Sequence, residues 1–303
     1  MTFHRPFAQI DVFTAVPGYG NPVAVVLDGH GLDDAAMQRF ARWTNLSETT
    51  FVLPPTDAAA DYALRIFTPG GELPFAGHPT LGSCFAWLAA GGQPKSRDQI
   101  VQQCAKGLVR IRQEGGRLAF AAPPVRCTAP APDLLARVAQ AMNLRAEQIV
   151  RAQELDNGPV WLTLQLESAD AVLAVEPDHA QLAAHGYKVG ILGVYESADN
   201  PLISRSSREA KAFASALQRA DAPLIEVRAF AASTGVPEDP VTGSLNASLA
   251  QWLTGEKELP PTYVASQGTV LGREGRVHVQ RDETGQVWVG GDCVSCIEGK
   301  VLL

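Results

Sequence analysis

The chain has 303 residues, of which 46% are hydrophobic and 19% charged, with a formal net charge of −7. This length exceeds the usual size of a single hydrophobic core, so two domains are predicted. Because no run of Lys and Arg offsets the acidic excess, the composition excludes the basic surface of a protein that binds nucleic acid or an anionic membrane. A small molecule is the expected partner.

The opening residues, MTFHRPFAQIDVF, alternate polar and apolar side chains as a strand does. They lack the basic and apolar segments of a signal peptide, and no apolar stretch reaches the roughly 18 residues of a transmembrane helix. We therefore expect a cytoplasmic protein. The five cysteines are odd in number and scattered, which is typical of reduced thiols rather than a disulfide framework.

A predicted helix over residues 33–45 is followed by an apolar strand over residues 49–55, and Glu48 lies between them. A carboxylate at the end of such an element can project into a pocket. An isolated Glu at the start of a strand is nevertheless more often solvated than catalytic. Its position alone therefore makes Glu48 a candidate and no more.

An internal repeat is the most informative feature of the sequence. The segments ELPFAGH (residues 72–78) and EDPVTGS (residues 238–244) share Glu, Pro and Gly at identical spacing. Each is followed by a segment that ends in Trp-Leu and whose apolar residues recur every three or four positions. This periodicity predicts two buried helices of about ten residues, each beginning just after the glycine.

The two glycines, Gly77 and Gly243, have a physical purpose at a helix start. The first N–H groups of a helix have no partner within it and lie at the positive end of its dipole, so an adjoining glycine lets an anion approach. His78 and Ser244 add a side-chain donor beside each glycine. One Pro-x-x-Gly motif more often shapes a turn, but two matching copies predict paired anion sites that face each other across a cleft.

Proton transfer needs a titratable group near these anion sites. The candidates are Glu48, Glu72, His78, Glu238 and Asp239. Spacing alone does not choose among them, since a pKa depends on burial and on neighbouring charges.

Several segments, in order along the chain, carry a resemblance to a known family. They are residues 21–25 (NPVAV), 47–49 (SET), 65–82, 238–244 and the C-terminal glycine segments at 267–273 and 290–291. Their order and spacing resemble the signature elements of the phenazine-biosynthesis PhzF-like family, and the resemblance covers nearly the whole chain.

The resemblance implies an α+β (mixed α/β) fold of the diaminopimelate epimerase type. In this fold two pseudo-symmetric domains each wrap a curved, mostly antiparallel sheet around a central helix, here the two helices that end in Trp-Leu. The last strand would return to the first domain, which gives an N-terminal domain of residues 1–120 plus about 293–303 and a C-terminal domain of residues 121–292. A homodimer is also implied.

The resemblance further implies that Glu48 is the general acid/base and that the substrate is bound by Ser47, Gly77, His78, Asp239, Gly243 and Ser244. Diaminopimelate epimerases carry a catalytic Cys just before each of the two glycines, where this chain has Ala76 and Thr242. The two-thiol mechanism is therefore excluded, and we predict a cofactor-independent isomerase that moves a proton within a small cyclic or amino-acid-derived carboxylate. The sequence has no zinc or nucleotide motif, so no metal and no cofactor are expected.

Two alternatives stay open. A small-carboxylate binding protein without turnover would keep the cleft, although it would not need a carboxylate beside two anion sites. An amino-acid epimerase or racemase needs two opposed bases, and the sequence offers no convincing partner for Glu48. The serine-rich segment 204–217 is interpreted as structural.

Overall fold

The computed structural model describes residues 2–196 and 222–303, so the serine-rich segment 204–217 lies outside the described residues. These residues form one 18-stranded sheet. The first nine strands are β1 (His4–Val12), β2 (Asn21–Val26), β3 (Glu48–Leu53), β4 (Tyr62–Phe67), β5 (Glu72–Leu73), β6 (Ile100–Cys104), β7 (Gly107–Glu114), β8 (Arg117–Ala121) and β9 (Arg126–Thr128). The next nine are β10 (Ile149–Asp156), β11 (Val160–Leu166), β12 (Lys188–Val194), β13 (Ile225–Ala231), β14 (Val236–Asp239), β15 (Thr262–Gln267), β16 (Gly275–Arg281), β17 (Val287–Gly291) and β18 (Cys293–Leu302).

The α-helices of the described residues are α1 (Asp34–Thr44), α2 (Gly77–Ala89), α3 (Pro132–Ala141), α4 (Ala169–Leu173), α5 (His179–His185) and α6 (Gly243–Gly255). Short 3-10 turns occupy Ala146–Gln148, Ala232–Thr234 and Thr269–Leu271. None of the helices in this described part has the length and apolar character needed to cross a membrane.

The second set of nine strands repeats the pairing of the first. In the first half β1 pairs antiparallel with β2, β2 parallel with β3, β3 antiparallel with β4, and β4 parallel with β6. In the second half β10, β11, β12, β13 and β15 pair in the same order and with the same directions. The prediction of a mixed fold with two pseudo-symmetric, mostly antiparallel halves is confirmed.

The two halves are joined by strands that cross between them. β8 pairs antiparallel with β17, β9 pairs with β10, and β18 pairs with β1 along His4–Val12. β9, the last strand of the first set, thus joins the second half. β18, the last strand of the second set, joins the first half. This pairing supports the domain boundaries 1–120 plus 293–303 and 121–292, which we retain as a proposal.

The helices α2 and α6 lie at the centres of the two halves. Each spans 13 residues, longer than the sequence predicted, and most of their residues are buried. Leu81 of α2 packs in the same hydrophobic core as Leu245 and Leu249 of α6. A helix that is apolar on all sides is stable only when it is surrounded by other elements, and here the sheet surrounds both.

A bidentate Arg–Glu pair connects β4 to β5, and another connects β13 to β14. Arg65 donates to Glu72 at 2.7 and 2.6 Å, and Arg228 donates to Glu238 at 2.9 Å through each of two nitrogens. Both repeated glutamates therefore hold a hairpin next to a helix start. The structure gives them this role instead of proton transfer.

Burial distinguishes the two pairs, because the side chains of Arg228 and Glu238 are 3% and 7% exposed whereas those of Arg65 and Glu72 are 27% and 35% exposed. Glu238→Gln would leave a buried guanidinium without its counter-ion, so we expect it to lower the free energy of unfolding by about 3–5 kcal/mol. The matched variant Glu72→Gln should cost about 0.2–1 kcal/mol. Urea denaturation of both variants tests this, and equal losses would contradict it.

Candidate active site

The N-termini of α2 and α6 meet at two glycines. A Cβ atom on Gly77 would lie 3.2 Å from the Cα of Gly243 and 2.7 Å from the ring of Phe120, and a Cβ on Gly243 would lie 3.1 Å from the Cα of Gly77. No other residue allows this approach without a shift of the backbone. The tertiary structure thus brings together the two repeats that the sequence places far apart.

Both helix starts lack the usual cap. The N-cap residues Ala76 and Thr242 have extended backbones, and neither helix start receives a side-chain capping hydrogen bond from the described residues. Uncapped N–H groups at the positive end of a helix attract anions. Their pairing gives the site two such ends at one point.

Glu48 is the first residue of β3, and α1 determines where it lies. Asp33 caps α1 by accepting from the N–H of Ala36, and the helix ends at Asn45, which adopts a left-handed conformation with φ of 54°. This turn directs the chain into β3, and the Glu48 side chain is 15% exposed. The predicted helix and the predicted strand on either side of Glu48 are both present.

Glu48 and His78 face each other at the start of α2. Glu48 Oε2 lies 3.5 Å from His78 Nε2, which is too long for a good hydrogen bond. Both atoms are buried and have no hydrogen-bond partner within the described part of the chain. Buried polar atoms are almost always paired, so two unpaired atoms that face each other mark a place where a ligand can supply the missing contacts.

Burial governs the ionisation of these groups. It raises the pKa of Glu48 to about 7, against the opposing effects of the Ser47 hydroxyl and the Lys188 charge. It lowers the pKa of His78 to about 4, although the charge of Asp239 acts in the other direction. The imidazole is therefore neutral at pH 7, while Glu48 can gain or lose a proton near this pH.

Asp239 is fixed on both of its oxygens. Asn21 donates to Oδ1 at 2.9 Å and the Thr242 hydroxyl donates to Oδ2 at 2.6 Å. Burial and then the charge of Glu48 raise the pKa of Asp239 to about 6. A carboxylate held at both oxygens is suited to orienting other groups rather than to carrying protons.

Asn21 is a site residue that sequence reasoning missed. Besides Asp239, its amide nitrogen contacts the carbonyl of Val241 at 2.8 Å and lies 3.4 Å from His78 Nδ1, and its oxygen accepts from Ser47 at 3.4 Å. It thereby ties β2 of the first half to β14 of the second. The segment 21–25 carried the family resemblance, but locally an Asn before a Pro indicates only the start of a strand.

Gln267 was also missed. Its amide oxygen accepts from Thr242 N at 3.0 Å and from Asn246 at 2.8 Å, and its nitrogen donates to the Thr242 hydroxyl at 2.9 Å. Gln267 is fully buried at the end of β15, so it fixes the residue that precedes α6. A glutamine in an apolar strand gave no signal of this contact in the sequence.

In the second half, the side chains around Ser244 differ from those around His78 in the first half. The indole nitrogen of Trp161 donates to the Ser244 hydroxyl at 3.2 Å, and Asn157 donates to the Ser244 carbonyl at 2.9 Å. Lys188 Nζ lies 5.7 Å from the centre of the Trp161 ring. Ser244 therefore keeps its own hydroxyl proton available to donate to a ligand.

The structure thus gathers the predicted residues Ser47, Glu48, Gly77, His78, Asp239, Gly243 and Ser244 around the meeting point of α2 and α6. A surface cavity of about 590 Å³ lies elsewhere, between β8, β15, β16 and β17, and none of these residues lines it. Within residues 2–196 and 222–303, no group of three or more His, Cys, Asp or Glu side chains is arranged as a metal site. The expectation that no metal and no cofactor are needed stays a prediction.

Comparison with known proteins places the chain in a family. The family described as phenazine biosynthesis-like protein matches residues 10–299. A relative in Schizosaccharomyces pombe named antisense-enhancing sequence 1 is 35% identical over the whole of both chains. The Pseudomonas aeruginosa protein named trans-2,3-dihydro-3-hydroxyanthranilate isomerase is 32% identical over 99% of this chain and all of its own.

A solved structure has the same fold. The crystal structure of a PhzF-family phenazine biosynthesis protein from Bacillus anthracis has a TM-score of 0.80 at 21% identity, with 99% of this chain and all of the other covered. The match of the family over nearly the whole length, together with relatives above 30% identity that bear an isomerase name, settles the family and the class of enzyme. The chain is an isomerase that belongs to the phenazine biosynthesis-like (PhzC–PhzF) family.

Proposed function

We propose that this isomerase moves one proton within a small cyclic or amino-acid-derived carboxylate, without a cofactor, and that Glu48 is the general acid/base. The observation that carries the proposal is the pair of buried, unpartnered atoms Glu48 Oε2 and His78 Nε2, 3.5 Å apart, beside two uncapped helix N-termini. A substrate carbon placed there would lie within reach of a base, and its carboxylate within reach of two anion sites.

The proposed reaction has two proton-transfer steps. Ionised Glu48 removes a proton from a carbon activated by neighbouring unsaturation, the C–H electron pair delocalises over the substrate, and Glu48 becomes neutral. Glu48, whose acidic proton exchanges with solvent, then delivers a proton to another carbon of the delocalised system, and the double bonds shift. The helix N-termini at Gly77 and Gly243 stabilise the negative charge between these steps.

The name of the Pseudomonas aeruginosa relative supports the substrate class. That protein is named for the isomerisation of trans-2,3-dihydro-3-hydroxyanthranilate, a cyclic carboxylate with ring unsaturation. We propose a substrate of the same class here and use this compound as the first assay substrate. The homodimer implied by the resemblance and the cytoplasmic location expected from the sequence also stay predictions.

Glu48→Gln should lower kcat by a factor of about 10²–10⁴, because the amide keeps the size of the side chain and loses its basicity. Binding of the substrate should change much less. Product formation and uptake of deuterium from heavy water, followed by NMR, measure both proton steps. Glu72→Gln is the matched control, since both Glu72 oxygens accept from Arg65 in an exposed pair.

The place of deuterium in the product distinguishes the proposed function from the alternatives. Deuterium at a new carbon with a shifted double bond supports isomerisation by one base. Inversion at the original carbon would favour epimerisation, and the absence of both exchange and a shifted double bond with bound substrate would favour a binding protein. A fully active Glu48→Gln variant would eliminate Glu48 as the base.

The pH dependence of kcat/KM should rise with pH, with its midpoint near the Glu48 pKa of about 7. The base must be ionised, so activity is lost as pH falls below this value. Asp239, with a pKa of about 6, titrates together with Glu48 and broadens the rise of kcat/KM with pH. His78, with a pKa of about 4, stays neutral over this range. A profile that is flat between pH 5 and 8 would contradict the assignment.

Removal of the buried carboxylate should stabilise the protein at high pH. The pKa of Glu48 is raised from 4.5 to about 7 on folding, so the protonated form is favoured in the folded state. The stabilisation of the folded state by protonated Glu48 is fully present below pH 4.5 and is lost as pH rises through 7. Glu48→Gln should therefore raise the free energy of unfolding by about 1–3 kcal/mol more at pH 8 than at pH 4.5. Urea denaturation at both pH values tests this, and an equal effect would contradict it.

A further inference from the structure

The two halves place different charged residues at one equivalent position. In the first half Phe51 of β3 lies opposite Arg65, and in the second half Ile191 of β12 lies opposite Arg228. These two arginines make the equivalent bidentate pairs that connect β4 to β5 and β13 to β14. Because the two arginines are equivalent, the residues opposite them are equivalent too, and Phe51 of β3 corresponds to Ile191 of β12.

This alignment makes Lys188 the counterpart of Glu48. Glu48 precedes Phe51 by the same number of residues as Lys188 precedes Ile191, and each is the first residue of its strand. Each strand also pairs in parallel with the second strand of its half, Glu48 opposite Val23 and Lys188 opposite Trp161. The carboxylate of one half thus has an ammonium group at its place in the other.

The contacts of Lys188 repeat the arrangement around Glu48 with other side chains. Glu48 lies beside His78, the second residue of α2, and Lys188 lies over Trp161, which donates to Ser244, the second residue of α6. Because the starts of α2 and α6 meet, the symmetry puts Lys188 on the opposite side of the candidate site from Glu48.

The charge of Lys188 is available to a ligand. The side chain is partly buried, and no salt bridge found among the described residues involves it. Its charge reaches the site, since it acts to lower the pKa of Glu48. A partly desolvated cation without a carboxylate partner attracts an anion more strongly than a solvated one does.

We propose that Lys188 is a specificity-determining residue, whose ammonium group binds a carboxylate of the substrate on the side of the site opposite Glu48. The proposal rests on the proposed function and names the chemical class that the site accepts, which is an anion rather than a neutral ring. As Glu48 removes the proton, the developing charge on the substrate lies between Lys188 and the two helix N-termini.

Ligand binding tests the proposal without any turnover. Anthranilate and its neutral amide, 2-aminobenzamide, are titrated into the wild-type protein, Lys188→Met and Lys188→Arg, with calorimetry as the readout. We expect Lys188→Met to weaken anthranilate binding by about tenfold or more, Lys188→Arg to retain it within about threefold, and the amide to bind all three proteins equally. Equal binding of anthranilate to all three proteins, or an equal loss for both ligands, would overturn the proposal.

A second measurement detects a merely structural effect of the substitution. The ionisation of Glu48, followed by the NMR shift of its ¹³C-labelled carboxyl group, should move to higher pH in Lys188→Met and return in Lys188→Arg. The groups that face Glu48 are otherwise unchanged, namely Ser47, His78 and Asp239. An unchanged Glu48 titration in Lys188→Met would show that the ammonium group does not reach the site.

Kinetics separate this role from that of a second base. With the assay substrate we expect Lys188→Met to raise KM more than it lowers kcat, and Lys188→Arg to restore both. A loss of kcat at constant KM that Arg does not restore would assign proton transfer to Lys188 and overturn the proposal. If Glu48→Gln proves fully active while anthranilate binding still depends on Lys188, the proposed proton shuttle fails and the binding role stands.

Discussion

Two helices that point their N-termini at each other carry like partial charges into one small volume. Each N-terminus behaves as about half a positive charge, so the approach of α2 to α6 is unfavourable unless negative charge lies nearby. Gly77 and Gly243 permit the contact, and the carboxylates of Glu48 and Asp239 lie around it. The same arrangement is suited to an anion, so the constraint that shapes the core of the molecule also shapes the candidate site.

The two halves of this protein match in their strands, helices and Arg–Glu pairs, but they differ in the side chains at the candidate site. The two nine-strand sets, the central helices and the Arg–Glu pairs match between the halves. The side chains at equivalent positions differ in pairs, with His78 against Ser244 and Glu48 against Lys188. A symmetric scaffold therefore presents an asymmetric site, with the carboxylate of Glu48 from the first half and the carboxylate of Asp239 and the proposed cation Lys188 from the second.

Contacts between the halves fix the geometry of that site. β8 with β17, β9 with β10 and β18 with β1 make the sheet continuous across both halves. At the site itself the amide of Asn21 reaches from β2 to Asp239 and Val241, and Gln267 holds Thr242 at the start of α6. Beside these contacts, Glu48 Oε2 and His78 Nε2 are buried without a hydrogen-bond partner in the described part of the chain.

The sequence by itself determined the repeat, the two central helices, the helix and strand around Glu48 and the family, because these depend on local periodicity and on motifs of fixed spacing. Only the tertiary structure decided which partners and how much burial each candidate has. Glu72 and Glu238 pair with arginines from the preceding strands, while burial brings the pKa of Glu48 to about 7. Asn21, Gln267 and Lys188 gave no local signal, since their partners lie far away in the chain. Burial and long-range pairing set these roles, and neither can be read from the spacing of residues along a chain.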